Sequence, residues 1–347
     1  MNRSSCFEHD QPELPNQPEL PTVRSMTEVH KRANRHPKYK TAYYVNNWHE
    51  YDKSLRDRGD ITLWISQDAI DAWTPPQTGK RGAQPVYSDI AIETMLALRL
   101  LLRLPLRQTE GFLHSVLTLM GLTLPCPDHT TLSRRNATVG VRRQVDRAPQ
   151  GPLSLIVDSS GLKVCSQGEW HAQKHGERKC KRWKKLHLGV DDQGLIIAST
   201  VTESHEQDPS QVPELLSQVD HVLERFIGDG MYDQAPVYAA IARHSPGARV
   251  IVPPRKDAVL SSQSATSPTQ RDGHILAIAS DGRFPWKRTS GYYAQSHAEN
   301  AFSRYKRMFG GRLRAKKAEA QEREASIACG LLNRMREWSR PQSYRVG

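Results

Sequence analysis

The feature that most constrains the fold is a short apolar segment that ends at an acidic residue. Residues 153–157 read LSLIV, with one polar side chain, and Asp158 follows directly. An apolar run of this length predicts a buried strand. Aspartate is depleted in strands and is rarely buried without a partner. The sequence therefore predicts a carboxylate held at the edge of a hydrophobic core.

Two other acidic residues stand in comparable positions. In RFIGDGMYDQ, a short apolar strand ends at Asp229, and Gly230 allows the backbone to turn at once. The third, Glu299, lies in GYYAQSHAENAFSRYKRMFGG, whose apolar residues recur with helical spacing. At about 100° per residue, one side of this predicted helix carries Tyr292, Gln295, Glu299 and Lys306. A separate apolar stripe comprises Ala298, Ala301, Phe302, Tyr305, Met308 and Phe309.

Three carboxylates that a fold brings together repel one another, and the pKa of at least one of them rises. Two divalent cations remove this conflict and create a site for phosphoryl transfer. Hard cations take oxygen ligands, so we expect Asp158, Asp229 and Glu299 to bind two Mg²⁺ ions, with Mn²⁺ as a substitute. Taken singly, a strand-end aspartate is more often a turn former, and a helical glutamate is usually solvated. No G-x-x-x-x-G-K-[ST] segment occurs, so no nucleotide cofactor is expected.

Charge points to a polyanionic partner, with nucleic acid first. The chain of 347 residues carries 49 Lys and Arg against 37 Asp and Glu, a formal net charge of +12. The stretch from Lys163 to Lys185 contains eight basic residues against two glutamates, with Trp170 and Trp183 interleaved. Basic side chains neutralise phosphates and aromatic rings stack on unpaired bases, although a solvated hairpin with inward-packed tryptophans is the alternative. The DNA contacts predicted here are Lys181, Arg182, Lys184 and Lys185.

Composition and periodicity divide the chain into four segments. Residues 1–40 are polar and proline-rich, and we expect them to be disordered. Residues 41–148 have helical periodicity and are predicted to form an all-helical domain that binds DNA. Residues 149–340 begin with strands and then alternate strands with helices, which indicates a mixed α/β domain, and residues 341–347 form a tail.

The helical segment contains a pattern typical of a helix-turn-helix. Ser88 and Asp128 are placed to cap helices. RQTEGFLHSVLTLMG and the polar HTTLSRRNATV are separated by a short break, and the second of them offers Arg134 and Arg135 as DNA contacts. The alternative is an ordinary helical hairpin. TLWISQDAIDAW is predicted to form a further helix.

Three local predictions concern the α/β segment. A turn is expected at Gly161 after the first strand, and a hairpin is expected around residues 192–194. The segment VPELLSQVDHVLERF is predicted to form a helix over residues 212–226.

Several classes of protein are excluded by what the chain lacks. No run of 18 apolar residues indicates a membrane span, and the polar N-terminus has no secretory signal core. The five cysteines are scattered, a pattern typical of a reduced cytoplasmic protein, and we expect association with the nucleoid. The spacing of Cys165, His171, His175 and Cys180 could suit zinc, but without a C-x2-C pair scattered surface residues are the better interpretation.

Several motifs in collinear order carry a resemblance to a known family. They are IVDSSGLKV, GEW, WKKLHLGVD, GDGMYD, IVPPRK and AENAFSRYKRMFGG. From about Asn46 to the C-terminus the chain resembles the IS5 family of insertion-sequence transposases (IS903-like group). The resemblance implies an RNase H-like mixed sheet flanked by helices, the DDE catalytic domain, preceded by the helical DNA-binding domain. It makes Asp158 the first acid on the first strand, Asp229 the second after the fourth strand, and Glu299 the third on a late helix.

The related transposases carry a Tyr–Arg–Glu–Lys pattern around the third acid. Here the corresponding residues are Tyr292, Gln295, Glu299 and Lys306. Glutamine can donate a hydrogen bond to a phosphate but has neither the charge nor the bidentate fork of arginine. The departure at Gln295 therefore weakens the contact to the terminal phosphate that the pattern implies.

The resemblance implies a transposase that binds the terminal inverted repeats of its element. The enzyme would cleave the 3′ ends by metal-dependent hydrolysis and join them to target DNA, acting as a homodimer or higher oligomer on double-stranded DNA. Trp286 is a candidate for stacking on an extruded base near the cut. Two alternatives remain: an RNase H-like nuclease that does not join strands, and a degenerate copy that binds DNA as a repressor.

Overall fold

The computed structural model describes residues 43–61, 64–77, 79, 81–82, 84–140, 153–164, 183–338 and 341–345. Its contacts divide the chain into two units, Met1–Trp48 with Pro341–Gly347, and His49–Arg340. The predicted disordered extension, the boundary between residues 148 and 149, and the four residues weighed as zinc ligands all lie outside the described residues.

Among the described residues, helices predominate before β2, and strands and helices are interleaved after it. The helices are α1 (Trp48–Asp57), α2 (Gln67–Asp71), α3 (Asp89–Leu101), α4 (Leu106–Leu119), α5 (His129–Arg135), α6 (Val212–Ser217), α7 (Ala235–His244), α8 (Gln270–Asp281), α9 (Arg283–Thr289), α10 (Ser296–Phe309) and α11 (Ala318–Trp338). The strands are β1 (Tyr43–Val45), β2 (Leu153–Val164), β3 (Trp183–Val190), β4 (Ile196–Glu203), β5 (Leu223–Ile227), β6 (Arg249–Ile251), β7 (Arg312–Leu313) and β8 (Ser343–Arg345).

The first unit contains a small antiparallel ribbon. β1 pairs with β8, so three residues of the predicted tail form a strand. The rings of Tyr44 and Tyr344 lie 6.3 Å apart. The backbone N–H of Asn46 donates to the carbonyl of Gln342 at 2.8 Å, which extends the pairing beyond the strands.

Two predicted helix caps are confirmed in the second unit. The Ser88 hydroxyl accepts the backbone N–H of Ala91 at 3.1 Å at the start of α3, and the Asp128 carboxylate accepts the N–H of Thr131 at 2.9 Å at the start of α5. Residues 120–128 separate α4 from α5, a longer connection than the three or four residues of a helix-turn-helix. The proposed role of this pair in DNA binding stays a prediction. Of the helix predicted over TLWISQDAIDAW, five residues form α2.

The described residues of the second unit form a six-stranded mixed sheet in the order β4-β3-β2-β5-β6, with β7 beside the end of β2. β2, β3 and β4 pair antiparallel, whereas β5 and β7 run parallel to β2 and β6 runs parallel to β5. The hairpin predicted around residues 192–194 joins β3 to β4. The predicted α/β class is confirmed: this is a mixed sheet flanked by helices, consistent with an RNase H-like DDE domain.

The turn predicted at Gly161 is wrong, because β2 continues through this residue to Val164. Gly161 pairs with Lys185 of β3. A Cβ at position 161 would lie 3.2 Å from the Trp183 ring. The glycine therefore accommodates a tryptophan that packs over the strand, and the long pairing with β3 overrides its turn propensity.

The helix predicted over residues 212–226 is correct only for its first part. α6 ends at Ser217, and the residues from Leu223 form β5. β5 lies between β2 and β6 in the sheet, and Phe226 and Ile227 are fully buried. A buried central strand reads as a short apolar run, which periodicity alone does not distinguish from a helix.

Hydrophobic clusters cover the two faces of the sheet. On one face, α6 and α7 pack against Leu155, Val157 and Phe226. On the other, α10, α11 and the N-terminal helices pack against Ile156, Leu186 and Ile227. The helices before residue 140 and the sheet therefore share one core. Among the described residues, no helix is both long and apolar enough to cross a membrane.

Candidate active site

Asp158 lies within β2 rather than at its end. It pairs across the sheet with Leu188 of β3, and its side chain is half-buried. Ile156, two residues earlier, is buried in the cluster that includes α10. Because side chains alternate along a strand, Asp158 points to that same face of the sheet.

Asp229 stands beside Asp158 because of the register of two parallel strands. Ile156 of β2 is opposite Ile227, the last residue of β5, and Asp158 and Asp229 each follow two residues later in the chain. Neighbouring strands are about 4.8 Å apart. The Asp229 carboxylate accepts the backbone N–H of Met231 at 2.8 Å, at the start of the 3-10 turn Gly230–Tyr232. The sheet register thus brings together two acids that are far apart in sequence.

Glu299 is presented by α10, which covers the same face of the sheet. The predicted apolar stripe of this helix is confirmed at its centre, where the buried residues are Ala298, Ala301, Phe302 and Tyr305. Glu299 itself is exposed. One turn before the end of α10, the Lys306 ammonium donates to the Ser160 hydroxyl at 2.6 Å. Ser160 and Asp158 share a face of β2, so this bond fastens the helix to the strand beside the first acid.

The three carboxylates are close enough to influence one another. Burial raises the pKa of Asp158 to about 6, a shift opposed by the backbone N–H of Ser159 and reinforced by the negative charges of Asp229 and Glu299. Burial is also the main cause of the raised pKa of Asp229. Half-buried acids with raised pKa values and like-charged neighbours are typical of functional sites.

The donor set suits a hard divalent cation. Carboxylate oxygens are the ligands that Mg²⁺ and Mn²⁺ prefer, and a cation would offset both the burial and the like-charge repulsion that raise the pKa of Asp158. Among the described residues, no three His, Cys, Asp or Glu side chains already surround a common point as ligands of a metal ion would. The three acids therefore lie on one face of the sheet, but their side chains do not surround a common point.

A fourth acid, Asp208, lies next to this group and was not predicted from the sequence. Its carboxylate accepts the Ser159 hydroxyl at 2.8 Å and pairs with the Lys185 ammonium at 2.9 Å. Because Ser159 follows Asp158 in the strand, Asp208 lies on the opposite face of the sheet, and its charge adds to the rise in the pKa of Asp158. The segment HEQDPSQVP carries no pattern that would have singled it out.

A buried histidine completes the surroundings of Asp208. His187 is fully buried, and its Nε2 lies 2.8 Å from the Thr202 hydroxyl. Its Nδ1 is 3.9 Å from the Asp208 carboxylate. Burial lowers the pKa of His187 to about 4, so the ring is neutral near pH 7.

The Tyr–Gln–Glu–Lys residues do not all share one helix. Tyr292 and Gln295 form a 3-10 turn that precedes α10. The Tyr292 ring lies beside the acids, since burial and then the charges of Asp229, Glu299 and Asp158 raise its pKa. Gln295 is 6 % exposed, and its amide donates to the carbonyl of Val157 at 2.9 Å. The Gln295 side chain thus binds the strand that carries the first acid. A contact between Gln295 and DNA stays a prediction.

The basic residues predicted to contact DNA have partners within the chain. Lys184 pairs with Glu203, and Lys185 pairs with Asp208. Arg134 donates to the Thr130 hydroxyl at 3.1 Å, and Arg135 pairs with Asp89. Lys181 and Arg182 lie outside the described residues. These DNA contacts stay predictions.

The expected role of Trp286 as a base-stacking residue is wrong for this structure. Its side chain is 4 % exposed. The ring packs edge-on against His274, to which its N–H donates at 3.2 Å, and lies 6.2 Å from the Tyr292 ring. Trp286 therefore supports the turn that carries Tyr292.

Comparison with protein families agrees with this arrangement. A family model described as a transposase DDE domain matches residues 149–334, more than half of the chain, and spans all three acids. A second model with the same description matches residues 56–167, which include most of the N-terminal helices. The fold and these matches together show that the chain belongs to the family of transposases with a DDE domain.

Proposed function

We propose that the chain is an insertion-sequence transposase of the IS5 family (IS903-like group). It would bind the terminal inverted repeats of its element, cleave the 3′ ends and join them to target DNA. The observation that carries the proposal is that Asp158 and Asp229 each follow two residues after the paired Ile156 and Ile227, and that the charges of Asp229 and Glu299 both act on Asp158. Three acids held near one another support phosphoryl transfer better than any one of them could alone.

Asp158, Asp229 and Glu299 would hold two Mg²⁺ ions, with Mn²⁺ as a substitute. Such ions supply positive charge that activates an attacking oxygen and stabilises a leaving one. Cleavage requires water to attack a backbone phosphorus and release a 3′-hydroxyl. Joining requires that 3′-hydroxyl to attack a target phosphorus, forming one phosphodiester as another breaks, while its proton passes to solvent.

The chain's own residues would orient these reactants. Lys306 lies beside the strand of the first acid and carries an ammonium group that can contact a phosphate oxygen. Tyr292, half-buried beside the acids, offers a phenol hydroxyl and a ring face at the same place. Asp208 acts as a positioning residue, because its bond to Ser159 restrains the backbone next to Asp158.

DNA would be held by basic residues outside the acid group. Arg134 and Arg135 on α5 would contact the element ends, and Lys181, Arg182, Lys184 and Lys185 would contact backbone phosphates. Lys184 and Lys185 would exchange their present carboxylate partners for phosphates. Bringing two ends together requires at least a homodimer on DNA.

The decisive experiment is a strand-joining assay. A duplex ending at the inverted repeat beside the chain's own gene, with a free 3′-hydroxyl, is incubated with supercoiled plasmid and Mg²⁺. We expect joined products with the wild type and a loss of more than about 10³-fold with Asp229→Asn. Asp281→Asn, at an exposed position on α8, is the matched control and should join normally.

The same assay separates the alternatives. Cleavage of an uncut end without joining would identify an RNase H-like nuclease. Binding without either reaction, in Mg²⁺ or Mn²⁺, would identify a DNA-binding repressor. The repressor is the second candidate because Gln295 stands where the related transposases have arginine. If joining is absent, recovery of it by Gln295→Arg would show that this one position inactivates the chain.

A further inference from the structure

A cleft lined with arginines lies outside the acid group. This open cleft has a volume of about 810 Å³ and lies between the end of α3, the start of α4, α5 and the residue that follows β7. Its four arginines come from four separate parts of the sequence: Arg99, Arg107, Arg134 and Arg314. We call it the arginine cleft. It shares no lining residue with the acid group around Asp158.

The lining of the arginine cleft is positive without a matching acid. Besides the four arginines, it contains His129, whose Nδ1 lies 2.7 Å from the Glu110 carboxylate. No Asp or Glu is among the described residues that line it. Glu324, the acid whose charge acts on Arg99, is 5 % exposed and accepts the backbone N–H groups of Arg314 and Ala315. One buried carboxylate thus interacts with two of the four guanidinium groups, those of Arg99 and Arg314.

Two of these guanidinium groups each have one buried nitrogen that lacks a hydrogen-bond partner. Arg99 is 8 % exposed, and its Nε has no hydrogen-bond partner. The Nη1 of Arg314 is also buried and unpartnered. Burial lowers the pKa of Arg99, the Glu324 charge opposes this shift, and the nearby Arg314 charge adds to it. A buried donor without a hydrogen-bond partner is costly, so acceptor atoms from outside the chain would be favourable here.

The start of α4 adds backbone donors. Pro105, Leu106, Arg107 and Gln108 line the cleft, and α4 has no side chain that caps its first turn. The free N–H groups and the positive end of the helix dipole favour an anion there. Together with Arg99 this makes a site for a tetrahedral oxyanion, which guanidinium forks contact through paired oxygens.

We propose that the arginine cleft binds a phosphate of the DNA backbone, at a place separate from the acids that carry out the reaction. The identification of the polyanion as DNA rests on the proposed function. No Phe, Tyr or Trp is among the described lining residues, so a base has no ring to stack on. The contact is therefore independent of sequence and serves to position the duplex.

The test measures binding of a random-sequence duplex by fluorescence anisotropy at several salt concentrations. Arg107→Gln and Arg134→Gln change exposed residues at the cleft, so these variants should keep the fold. Arg314→Gln changes a third arginine of the cleft. Each should weaken binding about tenfold and reduce the slope of log Kd against log salt by about 1. Arg243→Gln, exposed on α7, removes the same charge elsewhere and should bind as the wild type does.

Two results would overturn the proposal. In the first, all three cleft variants have the DNA affinity and the salt slope of the wild type, and their melting curves show intact folds. In the second, inorganic phosphate stabilises the wild type but not Arg314→Gln, and the affinity of Arg314→Gln for DNA is unchanged. This result would identify a site for a small anion.

The strand-joining assay is scored separately from this one. Weakened binding by Arg107→Gln and Arg314→Gln, which change residues that the proposed function does not use, supports the cleft even if the wild type joins nothing. That failure would count against the proposed function alone. If the wild type joins strands and the cleft variants bind DNA as the wild type does, the proposed function stands and the proposal for the cleft is wrong.

Discussion

Asp158 combines burial with negative neighbours. Burial raises its pKa to about 6, and the nearby carboxylates act in the same direction. In the unfolded chain the pKa of an aspartate is about 4. The ionised carboxyl is therefore less stable in the folded protein than in the unfolded one. This penalty is full above about pH 6, decreases as the pH falls through the folded pKa, and vanishes below about pH 4, where both states are protonated.

We predict that Asp158→Asn stabilises the metal-free protein. Melting temperatures measured from about pH 4 to pH 8 should show a gain of several degrees at the alkaline end and none at the acidic end. Mg²⁺ should raise the melting temperature of the wild type and leave that of the variant unchanged.

Asp281→Asn serves again as the control and should alter neither curve. A variant that melts like the wild type at every pH would show that the folded protein does not penalise the Asp158 charge.

At the scale of elements, one side chain joins a short turn to two strands. Asp208 begins the 3-10 turn Asp208–Gln211 and bonds to Ser159 of β2 and Lys185 of β3. The side chains of Lys185 and Asp208 are 28 % and 18 % exposed, so water replaces these partners only in part. The turn therefore supports β2 from the face opposite the three acids.

We predict that Asp208→Ala lowers the free energy of unfolding by about 1–3 kcal/mol, because the Ser159 hydroxyl loses its partner and the Lys185 ammonium keeps only the Glu206 carbonyl. Urea denaturation measures the change. The exposed Asp281→Ala should stay within about 0.5 kcal/mol of the wild type. Equal midpoints for Asp208→Ala and the wild type would contradict a supporting role for the turn.

The features that could be predicted from the sequence are those that depend on residues close together in the chain. The caps at Ser88 and Asp128, the hairpin after β3 and the apolar stripe of α10 depend on neighbours within a few residues, and all are confirmed. Gly161 and residues 223–227 depend on strands elsewhere in the chain, and local propensity misjudged both. Asp208 was missed for the same reason, since its partners lie 49 and 23 residues away.

At the scale of the whole molecule, one hydrophobic cluster of the second unit joins the N-terminal helices to one face of the sheet. Buried residues of α3, such as Ile92 and Met95, belong to the same cluster as Ile156 of the sheet and Leu331 of α11. The tryptophans Trp64 and Trp338 also meet, with ring centroids 5.0 Å apart. The helices before residue 140 thus supply part of the cover of the sheet.

We predict that a fragment of residues 149–340 does not fold on its own, although the sequence suggests a separate domain there. Without the N-terminal helices, a large apolar surface faces water, and the fragment should melt without a cooperative transition and bind a hydrophobic dye. Residues 49–340 should melt cooperatively, like the full chain. A sharp transition in the shorter fragment would show that the helices are dispensable.

The two faces of β2 set a limit on how the length of this chain can change. Asp158 faces the helix that carries Glu299, and Ser159 faces Asp208. Inserting or deleting one codon before position 158 shifts the strand by one residue and exchanges the two faces. The serine would then stand among the acids, and the aspartate would meet another carboxylate. Natural variants in length should therefore be absent from residues 153–158, while the turn between β3 and β4 tolerates them.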